Sequence, residues 1–327
     1  ELRSLVHECE WSTLICEDNQ TVTEISWDQS QLTGSIPSEV RYLTKLERLN
    51  LVGNSLVGTI PTEIGLLSNL AKLELGNNII SGTIPAEIGR LSNLTRLDLG
   101  GNEVIGTIPE DLYDIPNLQY LYLENNHIEG TLSENLANSR ELLAIYLGGN
   151  QMTGSIPVGL KSGSSIRPLR YFSIFNNSFT GSIPLSLRLR NLYYLDLSYN
   201  QLTGNFEEDF ARTHTQIRHF YINHNKFSGT LPETIGNMGN YRTIEFWIND
   251  NQFEGTPPMS FLKDNKENKD LLTYKIQNNN WDKNAKINNK DFCNLWVFSG
   301  ESGEIVEFGT TCDYCPCKDA CDRCDQY

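Results

Sequence analysis

The chain has 327 residues, of which 39% are hydrophobic and 20% are charged, and its formal net charge at pH 7 is -15. This composition indicates a folded protein with a large core and argues against disorder. The negative charge disfavours nucleic acid as a partner, because phosphate binding needs clustered Lys and Arg. The apolar runs are far shorter than the ~20 residues that cross a bilayer, so we expect no membrane span.

The N-terminal segment lacks an initiator methionine and an apolar leader, since the chain begins at Glu1. This beginning suggests a processed mature chain or a trimmed fragment. The segment contains Cys9 and Cys16 and precedes a long repetitive region. Because the ends of a stacked repeat structure have to be covered, we interpret residues 1–21 as a disulfide-containing N-terminal cap.

Residues 22–288 repeat the pattern Leu-x-x-Leu-x-Leu-x-x-Asn-x-Leu-x-Gly-x-Ile-Pro, first at steps of 24 residues and later at steps of 23 to 28. A period in the twenties with this leucine spacing is the signature of leucine-rich repeats. We therefore predict an α/β solenoid, a right-handed leucine-rich-repeat superhelix of about eleven repeats with a parallel concave β-sheet, capped at both ends. The repeats align on a column that begins at Ser30 and continues through Asn54, Asn78, Asn102, Asn126, Asn150, Asn177, Asn200, Asn225, Asn251 and Asn279.

Each recurring position of the repeat pattern, whether leucine, asparagine, glycine or proline, has a physical role. The alternation of Leu73 and Leu75 marks a short strand whose inward side chains meet those of the next turn. Asparagine both donates and accepts, so the stacked column predicts a ladder that satisfies the backbone where the strand turns inward. A glycine such as Gly82 permits a turn that most residues cannot adopt, and a proline such as Pro85 fixes φ before a short helical segment.

A file of hydroxyl side chains follows the repeat glycines. We interpret it as a minor strand on the solenoid flank, because β-branched and small polar residues suit strands. The alternative is that regularly spaced hydroxyls match the lattice of ice or of a polysaccharide. The file, interrupted at Asn205, consists of Ser35, Thr59, Thr83, Thr107, Thr131, Ser155, Ser182, Thr230 and Thr256.

The outward strand positions, where ligands of solenoid proteins bind, change character along the chain. In the first half, Arg48 and Lys72 lie on one file and Glu74 and Asp98 on the next, which predicts a charged ladder that contributes little per pair. In the second half these positions are aromatic. Tyr and Trp are common anchors of binding sites, although cross-strand packing also favours them. The predicted ligand-binding face consists of Tyr120, Tyr122, Tyr146, Tyr171, Tyr194, His219, Tyr221 and Trp247.

Residues 289–327 form the predicted cysteine-rich C-terminal cap. An even number of cysteines confined to the two ends indicates disulfides in an oxidising compartment. The two Cys-x-x-Cys pairs would also suit zinc, but Cys293 and Cys317 need partners too, which favours a disulfide knot of undetermined pairing. Glycosylation acceptors at Asn19, Asn93 and Asn176 agree with a secreted or cell-surface glycoprotein. The cysteines of this cap are Cys293, Cys312, Cys315, Cys317, Cys321 and Cys324.

The Gly-x-Ile-Pro spelling, together with Cys9, Trp11 and Cys16, resembles the plant-specific class of leucine-rich repeats found in receptor-kinase ectodomains and polygalacturonase inhibitors. In that family a Cys-x-Trp...Cys stretch forms the N-terminal cap, and the resemblance implies the same here. The clustered cysteines of the tail resemble secreted or surface leucine-rich-repeat proteins of diatoms and related algae. The resemblance implies extracellular recognition through the solenoid surface and leaves the ligand open.

Catalysis is not expected, because the sequence contains no nucleophile elbow, no zinc-protease motif and no phosphate-binding loop. His219 and His224 would lie ~16 Å apart on an extended strand and could not share one metal ion, so we expect no metal and no cofactor. We predict a non-catalytic protein that binds an extracellular peptide, protein or glycan on the concave aromatic face. The alternatives are a structural or adhesive wall component that self-associates and an inhibitor of a secreted polysaccharide-degrading enzyme.

Overall fold

The computed structural model describes residues 21–158, 169–184, 191–208, 210, 214, 216–235, 238, 245–258, 273–276 and 278–282, and the backbone of residues 14–17. The chain divides into two compact units, Glu1–Phe179 and Thr180–Tyr327. Among the helices of these described residues, none is long and apolar enough to cross a membrane.

The first unit contains a main sheet with short strands contributed by successive repeats. Its strands are β1 (Leu14–Glu17), β2 (Thr21–Ser26), β4 (Arg48–Asn50), β6 (Lys72–Glu74), β8 (Arg96–Asp98), β10 (Tyr120–Tyr122), β12 (Ala144–Tyr146) and β14 (Tyr171–Ser173). Strand β1 is antiparallel to β2, and from β2 onward neighbouring strands are parallel in one-to-one register. Leu49, Leu73 and Leu97 occupy the central position of successive strands and are buried, which confirms the predicted inward file.

Minor strands and 3-10 helices complete the repeats of the first unit. The minor strands are β3 (Thr33–Gly34), β5 (Ser55–Leu56), β7 (Ser81–Thr83), β9 (Glu103–Gly106), β11 (His127–Thr131), β13 (Gln151–Ser155) and β15 (Ser178–Thr180), the last of which ends at the unit boundary. The 3-10 helices are Ser38–Tyr42, Thr62–Leu66, Ala86–Arg90, Glu110–Asp114 and Glu134–Asn138. The first four follow a proline, as predicted. Each helix has only 5 residues, a length at which i→i+3 hydrogen bonding is common.

The asparagine column forms the predicted hydrogen-bonded ladder. Asn78, Asn102 and Asn126 are buried, and the Nδ2 of each donates to carbonyl groups of its own repeat and of the preceding one. The Oδ1 of each accepts a backbone N–H from the preceding repeat, as Asn102 does from Ile80 at 2.9 Å. The column therefore satisfies backbone groups that would otherwise lack partners where the chain leaves the sheet.

A second asparagine ladder, which the repeat pattern does not predict, lies on the exposed side of the repeats. The Nδ2 atoms of Asn69, Asn93 and Asn117 donate to carbonyl oxygens one repeat earlier at 2.8, 2.9 and 2.8 Å. One member is the predicted glycosylation acceptor Asn93, whose acceptor is the carbonyl of Ser68. The amide of Asn93 therefore has a structural partner within the repeats.

The repeat glycines adopt the predicted left-handed backbone conformation. Gly82 has φ +75°, and a Cβ added there would lie 2.7 Å from Cγ2 of Thr59 in the preceding repeat. The same contact recurs between Gly106 and Thr83 at 2.9 Å. Backbone conformation and close packing thus both require glycine, and the methyl groups of the threonine file have an intramolecular packing role.

The second unit repeats this architecture with a more aromatic core. Its main strands are β16 (Tyr194–Asp196), β18 (His219–Tyr221), β20 (Glu245–Trp247) and β22 (Thr273–Lys275), and its minor strands are β17 (Thr203–Gly204), β19 (Lys226–Thr230), β21 (Gln252–Gly255) and β23 (Asn280–Trp281). The main strands are parallel in one-to-one register. Phe220 and Phe246 occupy the inward file with ring centroids 5.1 Å apart, and Phe206 packs against Phe220. Phenylalanine therefore fills the volume that leucine fills in the first unit.

Candidate functional site

The register of the first unit places outward residues of successive repeats in two continuous files. One file reads Arg48, Lys72, Arg96, Tyr120, Ala144 and Tyr171, and the other reads Asn50, Glu74, Asp98, Tyr122, Tyr146 and Ser173. The predicted change from charged to aromatic side chains therefore occurs between strands β8 and β10, on one face of one unit.

The charged part of this face forms the predicted ladder. Both carboxylate oxygens of Glu74 are paired, one with Arg48 Nε at 2.8 Å and the other with Arg96 Nε at 2.9 Å. Arg96 also contacts Asp98, with its Nη2 3.1 Å from Oδ2. The Arg96 guanidinium lies 4.4 Å from the ring centroid of Tyr122. Arg96 thus joins the charged ladder to the tyrosines that follow, a link that the sequence pattern does not reveal.

Four tyrosines of the first unit are half-buried, and their aromatic rings form a surface. We call them the first-unit tyrosines: Tyr120, Tyr122, Tyr146 and Tyr171. The rings of Tyr120 and Tyr122 are stacked with centroids 6.3 Å apart, and those of Tyr122 and Tyr146 with centroids 5.2 Å apart. Burial, with a smaller effect of neighbouring acidic groups, raises the pKa of Tyr146 to about 12. The hydroxyl of Tyr146 therefore stays protonated at neutral pH and remains a hydrogen-bond donor.

Two carboxyl groups border the first-unit tyrosines. Burial raises the pKa of Asp98 and of Glu124, while the positive charge of Arg96 opposes the rise in both. Glu124 follows strand β10, and in the described part of the chain its buried Oε2 has no hydrogen-bond partner. These carboxyl groups therefore place acidic side chains at the carboxyl ends of strands β8 and β10, beside the aromatic rings of the first-unit tyrosines.

The aromatic residues of the second unit pack more tightly. Tyr221 lies between Tyr194 and Trp247, with ring centroids 5.5 and 4.7 Å away. Its hydroxyl bonds to the Glu245 carboxylate, which also lies 2.9 Å from His219 Nδ1. Only 9% of Tyr221 is exposed, so this predicted ligand residue is mostly covered by its neighbours. Tyr194, His219 and Trp247 remain partly exposed.

A cavity of about 480 Å³ lies at the carboxyl ends of strands β16, β18 and β20. We call it the second-unit cavity. Its walls include three predicted ligand residues, and the other lining side chains come from the strands and from the residues that follow them. The lining residues are Tyr194, Asp196, Ser198, Tyr199, Tyr221, Asn223, His224, Trp247, Asn249, Asp250 and Lys275.

The outer wall of the second-unit cavity is built by residues that leave the strands in the left-handed conformation. Tyr199, His224 and Asp250 have φ of 54°, 54° and 55°, and the same repeat position in the first unit holds glycine or asparagine, as at Gly101 and Asn125. The rings of Tyr199 and His224 stack with centroids 4.1 Å apart, and His224 Nε2 lies 3.2 Å from Asp250 Oδ2. Side chains of three successive repeats therefore contact one another along this wall.

Asp196 lies at the inner end of the second-unit cavity. Its Oδ1 accepts hydrogen bonds from the backbone N–H and the hydroxyl of Ser198 at 3.0 and 2.6 Å, and its Oδ2 accepts one from the Tyr194 hydroxyl at 3.3 Å. Burial raises the pKa of Asp196, and these three hydrogen bonds oppose the rise. The carboxyl group is therefore held in one orientation by donors that line the cavity.

The remaining predicted sites lie mostly outside the described residues. All cysteines of the C-terminal cap, together with Cys9 and Asn19, fall there, and of Cys16 only the backbone is described, in strand β1. Asn93 and Asn176 are exposed, and Asn176 has φ of 49°. The predicted disulfides and glycosylation stay predictions.

Family models and known proteins resemble this chain. Leucine-rich-repeat models match residues 44–104, 68–128, 191–212 and 216–238. Receptor-like protein 36 of Arabidopsis thaliana is 38% identical over 80 residues, which are 24% of this chain and 11% of that protein. The structure of the plant peptide hormone receptor RGFR1 in complex with RGF2 aligns with a TM-score of 0.72 and 35% identity over 78% of this chain and 39% of that chain. A plant ice-binding protein aligns with a TM-score of 0.66 and 30% identity over 76% of this chain and 79% of that chain.

The matches agree with the repeat architecture. The chain spans well under half of the two receptors, so their whole length is not represented in it. The family-model matches fall on repeats in both units, where the parallel strands and the asparagine ladder occur. The chain belongs to the leucine-rich-repeat proteins and is similar to the ectodomains of plant leucine-rich-repeat receptors.

Proposed function

We propose that the chain is a non-catalytic extracellular recognition protein that binds a peptide, protein or glycan through outward aromatic residues of the main strands in each of its two units. The binding residues are the eight predicted aromatic residues, Tyr120, Tyr122, Tyr146, Tyr171, Tyr194, His219, Tyr221 and Trp247. The observation that carries the proposal is the stacked, half-buried surface of the first-unit tyrosines. Such rings offer a stacking face and a protonated hydroxyl with few rotatable bonds to order on binding.

The similarity to ligand-binding receptors supports this proposal. RGFR1 is described as a peptide hormone receptor in complex with RGF2, and it aligns with most of this chain. Because leucine-rich repeats share one scaffold across many ligands, the identity of the ligand depends on outward side chains and not on the repeat. An extended ligand crossing the strands of the first-unit tyrosines would meet successive rungs at intervals of ~4.8 Å.

Tyr146→Ala tests the proposal on the first unit. The native partner would be captured from the extracellular fluid of the source, identified by mass spectrometry and titrated against each purified variant. We expect Tyr146→Ala to weaken binding by ~2 kcal/mol or more, because it removes a central ring of the stacked surface. Arg48→Ala is the matched control on the charged part of the same face, where we expect a loss below ~1 kcal/mol. Equal binding by Tyr146→Ala and the parent, or a selective loss in Arg48→Ala, would contradict the proposed site.

Binding of ice is a second candidate function, through the minor strands instead of the main sheet. The observation that favours it is the exposed hydroxyl file of consecutive repeats, which includes Thr59, Thr83, Thr107 and Thr131. Their regular spacing follows that of the strands, ~4.8 Å between neighbours. The similarity to a plant ice-binding protein, of which 79% is covered, supports the same candidate.

Thr107→Tyr tests this second candidate. Its bulky ring would project from the middle of the hydroxyl file, so we expect inhibition of ice recrystallisation to fall severalfold. Because the Thr107 methyl group packs against Gly130 of the next repeat, thermal unfolding is measured as well, to show that the variant is folded at the temperature of the assay. Tyr146→Ala lies on the main sheet and serves as the control that should retain full inhibition. A parent protein without effect on ice growth would exclude this function.

A further inference from the structure

We propose that Arg96 is a positioning residue of the first-unit tyrosines, whose guanidinium fixes the ring planes of Tyr120 and Tyr122 before a ligand arrives. This inference rests on the proposed function, because both tyrosines belong to the proposed binding face. It gives the charged ladder, which the sequence predicts to contribute little, a role in recognition.

The guanidinium of Arg96 lies over two parallel rings. Its Cζ atom is 4.4 Å from the ring centroid of Tyr122 and 5.9 Å from that of Tyr120. The planes of these two rings differ by only 4°. Both distances lie within about 6 Å, the range in which a cation is attracted to the face of an aromatic ring. One side chain of the charged ladder therefore contacts two rings of the proposed binding face.

The ring of Tyr122 has flat neighbours from the preceding and from the following repeat. Arg96 belongs to strand β8 and Tyr146 to strand β12, which pair with opposite edges of strand β10. The planes of Tyr122 and Tyr146 differ by 15°, and their ring centroids are 5.2 Å apart. Guanidinium, Tyr122 and Tyr146 thus form a stack across three repeats. Without Arg96, Tyr122 would lose the flat group at the charged end of this stack.

Two carboxylates hold Arg96 itself in place. Its Nη2 donates to Oδ2 of Asp98 at 3.1 Å, and its Nε lies 2.9 Å from Oε1 of Glu74. Glu74 is only 8% exposed, and its Oε2 accepts a hydrogen bond from Arg48 Nε at 2.8 Å. A planar guanidinium can make several such charge-assisted contacts while its face rests on an aromatic ring. The ladder therefore fixes the orientation of the group that lies over the rings.

Fixed rings favour binding because the ordering of side chains on association costs free energy. A ring that is already held in its plane loses little further freedom when a ligand stacks on it. Tyr120 and Tyr122 are half-buried, so part of each ring remains accessible to a ligand. We therefore expect the loss of Arg96 to weaken binding even though the rings themselves remain.

A direct contact between Arg96 and the ligand is the competing explanation, since 30% of the Arg96 side chain is exposed. An acidic ligand group would, however, compete there with Glu74 and Asp98, which already pair with the guanidinium. The contacts of Arg96 with the two rings need no such exchange of partners. The geometry thus favours an effect through the rings, and the experiment below separates the two explanations.

The binding test compares Arg96→Ala and Arg96→Lys with the parent, using the full chain and the purified partner that the Tyr146→Ala experiment identifies. We expect Arg96→Ala to lose about tenfold or more in affinity, because ordering the rings would then oppose binding. Arg96→Lys should lose a similar factor, since an ammonium keeps the charge but has no flat face.

Arg48→Ala is the matched control for the binding test. Arg48 lies in the same outward file, also pairs with Glu74 and has a side chain that is 33% exposed, but in the described residues it makes no cation–π contact. We expect it to lose less than about fivefold in affinity. Circular dichroism confirms that each variant is folded at the temperature of the titration.

A double-mutant cycle separates positioning from direct contact. In a Tyr122→Leu background, Arg96→Ala should change the affinity by less than about threefold, because the closer of the two ring contacts is already absent. If the full loss persisted in that background, Arg96 would contact the partner directly and the positioning role would be wrong.

The order of the rings is measured on the free protein by NMR of carbon-13-labelled tyrosine, with signals assigned through Tyr120→Phe and Tyr122→Phe. Stacked rings shift one another's signals away from those of free tyrosine. We expect these shifts of Tyr120 and Tyr122 to shrink in Arg96→Ala and in Arg96→Lys and to persist in Arg48→Ala. Unchanged shifts in Arg96→Ala would overturn the inference without any binding measurement.

The outcomes distinguish this inference from the proposed function. If Tyr146→Ala weakens binding of the partner and Arg96→Ala does not, the inference is wrong and the proposed function stands. If neither variant weakens binding, both are wrong. A loss in both variants, together with smaller ring shifts in Arg96→Ala and a cycle that is not additive, supports the positioning role.

Discussion

Replacing Asn102 by Leu is expected to lower the free energy of unfolding by about 1–3 kcal/mol for each backbone group left unpaired. Asn102 is 8% exposed, and its Nδ2 donates to the carbonyls of Leu75 and Leu99 at 3.1 and 3.0 Å. Its Oδ1 accepts the N–H of Ile80 at 2.9 Å. Leucine is similar in size but offers no polar atom, so the N–H of Ile80 would remain buried without a partner. The carbonyls of Leu75 and Leu99 would each keep one donor, the Nδ2 of Asn78 and of Asn126 respectively.

Asn117→Leu is the matched control for Asn102→Leu. Asn117 belongs to the second, exposed ladder, where its Nδ2 donates to the carbonyl of Ser92 at 2.8 Å. Water can reach that carbonyl when the amide is removed, so we expect a loss of only about 0.5–1.5 kcal/mol. Urea unfolding followed by circular dichroism measures both variants against the parent. If Asn102→Leu unfolded like Asn117→Leu, the ladder would not carry the stability that its hydrogen bonds imply.

The architecture could be predicted from the sequence because each residue type of the repeat pattern acts through local conformation or through contact with the neighbouring repeat. Leu73 and Leu97 belong to a period-2 strand pattern, and their burial needs only a neighbouring repeat of the same kind. The turn at Gly82 follows from a conformation that glycine alone adopts readily. The exposed ladder of Asn69, Asn93 and Asn117 could not be predicted in this way, because a surface asparagine has many alternative roles in loops.

The candidate site could be predicted only in part. Strand register follows from the repeat, so Tyr120, Tyr122 and Tyr146 could be assigned to one face from their positions alone. The burial of Tyr221 could not, because it depends on how far the neighbouring rings lean over it. Asn223 occupies a variable position of the repeat, and in the described residues its buried Oδ1 has no hydrogen-bond partner, which is a property of the surrounding side chains and not of the motif.

The close contacts between neighbouring 3-10 helices could not be predicted from the sequence either, and Gly89 lies at one of these contacts. Its backbone is outside the left-handed region, so conformational entropy alone would make Gly89→Ala stabilising by about 0.4–1 kcal/mol. A Cβ at this position would, however, lie 2.5 Å from the Cβ and 2.8 Å from the carbonyl oxygen of Asp111. The obstructing atoms lie on or next to the backbone of the next helix, Glu110–Asp114, and cannot rotate away.

We therefore expect Gly89→Ala to lower the free energy of unfolding by about 1–3 kcal/mol, as overpacking typically does. This change is opposite in sign to the entropic effect. Ala86→Gly is the matched control, since Ala86 is exposed in the same 3-10 helix. We expect Ala86→Gly to lower the free energy of unfolding by about 0.5–1 kcal/mol, which measures the effect of backbone conformational entropy in the absence of a steric clash. Chemical unfolding of both variants decides the question. A Gly89→Ala protein more stable than the parent would show that the two helices can move apart at little cost, and that close packing between repeats does not require glycine here.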